Sequence, residues 1–133
     1  MINSILQYLI VFAIFLVIDF VWLGLAAKKL YSKNLGYLMK EKPNFVAAFV
    51  FYSIFVVGLM AFVINPAIEK GSLLDALKWG ALYGFVTYAT YDLTNLATVK
   101  DWPIKITLID LLWGTFVSCA TSVLGYIAIS TIW

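Results

Sequence analysis

Three aspartates, Asp19, Asp92 and Asp110, interrupt stretches that are otherwise almost wholly apolar. A carboxylate placed at the centre of a bilayer costs about 2.5–3.5 kcal/mol on insertion scales, and less toward the interface, so it is kept where it has partners or a task. The chemistry open to such groups is narrow. They can carry a proton, neutralise a cation, act as acid and base, or hold a divalent metal through oxygen. Composition closes the other routes: the 133-residue chain has no histidine, no arginine and one cysteine, Cys119. That leaves no usual zinc site, no disulfide framework and no Ser-His-Asp or Cys-His catalysis. The remaining acids, Glu41, Glu69, Asp75 and Asp101, fall in connections or at helix starts and call for no special account.

The neighbours of the three aspartates are patterned. Around Asp92, the residues Gly80, Gly84, Thr87, Tyr88, Tyr91 and Asn95 recur at helical spacing and form one stripe. Around Asp110, the residues Thr107, Gly114, Ser118, Thr121 and Gly125 do the same. Such stripes let membrane helices approach and bond to one another, so packing alone accounts for the small residues, whereas packing does not require charge. An echo joins the two ends of the chain: Ile18-Asp19-Phe20-Val21-Trp22 and Ile109-Asp110-Leu111-Leu112-Trp113 share an Ile-Asp-x-x-Trp pattern. The i, i+3 spacing sets each indole beside its carboxylate, where it can donate an N–H or wall off a cavity.

The elements that must position these residues follow from composition. Hydrophobic residues make up 64% of the chain and charged ones 12%, against about 25% charged in a soluble domain. A soluble fold of this size leaves roughly a third of its surface exposed and could not hide that excess. A net charge of +2 excludes the basic face of a nucleic-acid binder. The expected class is an all-α integral membrane protein, one four-transmembrane-helix bundle over residues 1–133 with spans at about 5–27, 45–64, 73–97 and 104–132. Pro43-Asn44 precedes the second span, Asn65-Pro66 closes it, Ser72 with Asp75 caps the third, and Pro103 opens the fourth. The first span lacks a basic n-region and is interrupted by Asp19, which argues for a retained span over a signal peptide.

Lysine counts orient the bundle. Lys28, Lys29, Lys33, Lys40 and Lys42 lie in the first connection, and Lys100 and Lys105 flank the third. The opposite side has Lys70 and Lys78 alone, so both termini are expected outside the cytoplasm. Trp79, Trp102 and Trp133 fall near span ends, where interfacial anchors belong. At about 1.5 Å per residue, Asp19 lies about 13 Å from Lys28, Asp92 about 12 Å from Lys100 and Asp110 about 7 Å from Lys105. All three carboxylates thus fall in the same half of the membrane, and they are expected to meet in one pocket walled by Trp22 and Trp113. Three like charges there could not all persist, so a proton or a cation is expected among them.

The run Tyr91-Asp92-Leu93-Thr94-Asn95-Leu96-Ala97-Thr98, followed by Trp102-Pro103 and Asp110-Leu111-Leu112-Trp113-Gly114, resembles the DUF2177 family of small bacterial membrane proteins, as does Asp19-Phe20-Val21-Trp22-Leu23. The resemblance spans essentially the whole chain. It implies a four-helix protein of the bacterial inner membrane and supplies no reaction and no cofactor.

Three readings of function remain open at the level of sequence. The first is a site that binds or translocates a proton, a cation or a small cationic molecule, built from Asp19, Trp22, Tyr88, Tyr91, Asp92, Asn95, Asp110 and Trp113, with no metal assigned. A chain this short would be expected to work as a homodimer in the lipid bilayer. The second is a structural or accessory subunit. The third is a lipid-modifying enzyme with a lipid or small-molecule ligand, which neither a phosphate-holding arginine nor a catalytic motif supports.

Overall fold

The structure, a computed structural model, describes residues 1–40 and 42–133, so Glu41 lies outside it. Every regular element among the described residues is helical. Helix α1 (Ile2–Trp22) runs through a π-helical segment, Leu23–Ala27, into α2 (Lys28–Leu35). Helix α3 (Phe45–Leu59) runs through a second one, Met60–Ile64, into α4 (Asn65–Lys70), and α5 (Leu73–Thr98) and α6 (Ile104–Ile132) complete the chain. Three of these continuous helices are long and apolar enough to cross a membrane: Ile2–Leu35, Phe45–Lys70 and Ile104–Ile132. With 26 residues α5 has the length, but its threonines, tyrosines, Asn95 and Asp92 dilute the apolar run.

The helix starts follow local chemistry. The Asn44 side chain accepts the Ala47 N–H at 3.1 Å and the Ser72 hydroxyl accepts that of Asp75 at 3.1 Å, each satisfying a donor that an open first turn would strand. Asp75 also faces Lys70 at 3.4 Å and Lys78 at 3.9 Å. Gly71, at φ 64°, supplies the left-handed residue that ends α4 and turns the chain into α5.

Two boundaries differ from the sequence expectation. The helix that Asn65-Pro66 should have closed continues to Lys70. Proline breaks a helix because its ring strikes the carbonyl four residues back and it has no N–H to donate. Here the turn before it is wide, with the Asn65 N–H bonding to the Met60 carbonyl in the i to i−5 pattern, which moves that obstruction aside. The first helix likewise passes its expected end and reaches Leu35. Its last turns, in α2, cover Trp102, which is buried with Leu35 and Ile106 and donates its indole N–H to Thr107 at 3.1 Å. Trp102 is therefore a packing residue and not the surface anchor its position suggested, whereas Trp79 and Trp133 are exposed.

The main core joins Val11 and Phe15 of α1, Phe55, Val56 and Leu59 of α3, Val63 and Ile64 beyond it, and Val117 and Ile129 of α6. Helices α5 and α6 lie closest of all. A Cβ at Gly84 would strike the Gly114 carbonyl and the Ser118 side chain, and one at Gly80 would come within 2.7 Å of the Ser122 Cβ. The small-residue stripes thus bring two backbones together, as in other membrane helix pairs.

Candidate functional site

The close approach of α5 and α6 determines where the aspartates go. Asp92 on α5 is fully buried, and Asp19 on α1 and Asp110 on α6 are each 6% exposed. The carboxyl groups of Asp92 and Asp110 are neighbours and act on one another electrostatically. Neither oxygen of Asp92 finds a donor among the described residues. Tyr88, whose ring packs over Gly114 where a Cβ would collide, stands near all three aspartates.

Each of the other two carboxylates is held by a tyrosine from a different helix. The Tyr52 hydroxyl of α3 donates to Asp19 Oδ2 at 2.8 Å, and the Tyr31 hydroxyl of α2 donates to Asp110 Oδ1. A hydrogen bond to a charged acceptor contributes about 1.5–3 kcal/mol, about twice a neutral one, so these contacts offset part of the burial of charge. The indoles of Trp22 and Trp113 stack with centroids 4.6 Å apart and planes 12° from parallel. Trp113 approaches Asp19 and Trp22 approaches Tyr31, but neither indole N–H is aligned for a hydrogen bond.

These groups surround a cavity of about 390 Å³. Helix α1 contributes Asp19 and Trp22, with Leu23 beyond it, and α2 contributes Tyr31. Helix α3 contributes Ala48, Phe51 and Tyr52, α5 contributes Thr87, Tyr88 and Tyr91, and α6 contributes Asp110 and Trp113. Of the residues singled out from sequence, Asp19, Trp22, Tyr88, Tyr91, Asp110 and Trp113 line this cavity. Asp92 does not reach it and lies behind Asp110, and Asn95 is half-buried away from it. No lysine lines the cavity, and among the described residues no cluster of three or more His, Cys, Asp or Glu could hold a metal ion.

The two tyrosine donors were missed from sequence. Tyr52 lies seven residues into α3, about 10 Å along the helix, so the depth comparison made for the aspartates could have found it. Tyr31 could not have been found that way. Twelve residues after Asp19, an unbroken α-helix would turn it about 120° off the Asp19 face. The π-helical segment between them takes up about one extra residue and brings it back to within about 20°.

No curated protein and no solved structure matches the chain. A family model described as "Predicted membrane protein (DUF2177)" matches residues 4–127, which include every residue of the cavity. The chain belongs to this family of membrane proteins.

Proposed function

We propose that this protein binds a cation within the membrane, at the carboxylates of Asp19 and Asp110, with Asp92 as a buried reserve of negative charge behind them. The observation that carries this reading is that two carboxylates, each more than nine-tenths buried, line one cavity that contains no lysine. Each receives one tyrosine hydroxyl, whereas an ionised carboxylate can accept about four hydrogen bonds. Negative charge in a low-dielectric site without a matching cation favours a proton or a bound cation. A purely structural role fits less well, because Asp92 and Asp110 set two carboxyl groups side by side with no donor to Asp92 among the described residues, and packing does not require a pair of like charges.

In this reading the chain spans the membrane four times, α5 being the third span, added to the three long apolar helices. In α5, Asp92, Gly80 and Gly84 are buried, while the exposed Thr90, Thr94 and Thr98 return their hydroxyls to carbonyls of the preceding turn, so little of the polarity that lowers its hydropathy is left unbonded toward lipid. The lysine-rich α2 end faces the cytoplasm of a bacterial cell, both termini lie on the other side, and the cavity opens in the cytoplasmic half.

The test is thermal unfolding in a neutral detergent with and without an added organic cation such as tetramethylammonium. A ligand that binds only the folded state raises the midpoint with concentration. The wild type should show that rise and Asp110→Asn should unfold normally without it. Asp110→Leu should be less stable throughout, because the Tyr31 hydroxyl then loses its acceptor. An equal rise in wild type and Asp110→Asn would overturn the proposal.

A further inference from the structure

We infer that the cation is the ammonium head of a single-tailed amphiphile, taken sideways out of the bilayer with its tail left among the lipids. This inference rests on the cation-binding reading above and adds the ligand's class and its route.

The head is specified by what surrounds the carboxylates. A divalent inorganic ion is usually held by several carboxylates converging on one point, and among the described residues no group of three or more His, Cys, Asp or Glu is placed to do so. The walls are instead rich in aromatic rings: the stacked Trp22 and Trp113, with Tyr31, Tyr52 and Tyr88. Carboxylates among aromatic rings are how proteins hold alkylated ammonium groups, whose charge is spread over methyl or methylene surface. The volume of about 390 Å³ lies at the low end for small-molecule sites, enough for a head group and a few methylenes. A phosphate-bearing head is disfavoured inside, since no lysine lines the cavity and two carboxylates do.

The route is specified by the rim. Leu23 is 38% exposed, Phe51 47% and Tyr91 57%, and all three line the cavity. Leu23 lies about 8 Å along the helix from Lys28, Phe51 about 9 Å from the start of α3 and Tyr91 about 14 Å from Lys100. Surface at that depth on the outside of an apolar bundle meets hydrocarbon, not water. Ala48, the smallest lining residue, lies three residues before Phe51 on the same face of α3 and leaves space for a chain beside that rim residue. The opening therefore admits a molecule that already lies in the leaflet, head inward and tail outward.

The experiment is a tryptophan-fluorescence titration of the purified protein in dodecyl maltoside, reporting on Trp22 and Trp113. The probes are tetramethylammonium, decyltrimethylammonium and decanol. Decyltrimethylammonium should saturate the signal at a concentration about tenfold or more below tetramethylammonium, because each methylene kept in apolar surroundings adds several-fold to binding. Decanol, with the tail and no charge, should give no saturable change. Ala48→Phe should bring the ratio of the two ammonium ions toward one. Asp19→Asn/Asp110→Asn, which keeps an acceptor for each tyrosine and can be checked for native helical content, should lose saturable binding of both. Equal affinity for the two ammonium ions in the wild type, or no effect of Ala48→Phe, would overturn the amphiphile inference and leave the cation site standing. Absence of saturable binding by either ion, or equal binding by the double variant, would overturn both.

Discussion

Trp22 and Trp113 stand one turn beyond Asp19 and Asp110 on the first and last helices, and their rings stack 4.6 Å apart at an interplanar angle of 12°. The contact joins the two copies of the Ile-Asp-x-x-Trp pattern. Because each indole is three residues from its carboxylate, the stack ties the distance between the two aspartates to the separation of α1 and α6. A double-mutant cycle of Trp22→Ala and Trp113→Ala should return a coupling of about 0.5–1.5 kcal/mol, the range for aromatic pairs, from equilibrium unfolding in detergent. Additive losses would mean that the rings do not act as a pair.

Tyr52→Phe should destabilise the protein by about 1.5–3 kcal/mol, since it removes the donor to a carboxylate that is 6% exposed. Tyr31→Phe should do the same at Asp110. Equilibrium unfolding of the two variants measures both. No change in either would show that the hydroxyls do not bond to the carboxylates.

Gly84→Ala should weaken the α5–α6 contact by about 1–3 kcal/mol, as overpacking does, because the added methyl meets the Gly114 backbone, which cannot rotate away. Gly24→Ala, where nothing lies within 4 Å of the added methyl, serves as the neutral control. The melting temperatures of the two variants should separate clearly, and equal melting temperatures would contradict the packing described for Gly84.

Much of this arrangement was legible in the sequence, for reasons particular to each residue. The α5–α6 contact could be read because Gly80, Gly84, Gly114 and Ser118 repeat at helical spacing on uninterrupted helices. The three aspartates could be read because a charge in an apolar run stands out. What was hidden depends on departures from the regular helix. Tyr31 reaches Asp110 only because the π-helical turn at Leu23–Ala27 alters the register, and Pro66 is tolerated only because a second such turn precedes it. Asp92 was expected at the cavity and lies behind it, since its place on the stripe points it at α6 rather than at α3. Tyr52 lacked the charge that drew attention to the aspartates, though its depth was available.

Orientation can be checked with single-cysteine variants in a Cys119→Ser background. An impermeant maleimide added to intact cells should label a cysteine at Asn3 and leave one at Lys33 unlabelled until the cells are opened. The opposite pattern would place the cavity in the other leaflet.

The central claim, a cation held between Asp19 and Asp110, is tested most directly by their reactivity toward a hydrophobic carbodiimide, which modifies protonated carboxyl groups within membranes. Peptide mapping by mass spectrometry should find the adduct on Asp19 and Asp110, which line the cavity, and not on the enclosed Asp92. Tetramethylammonium at saturating concentration should suppress labelling at both residues about tenfold. Labelling that is unchanged by the cation, or that falls first on Asp92, would contradict the account.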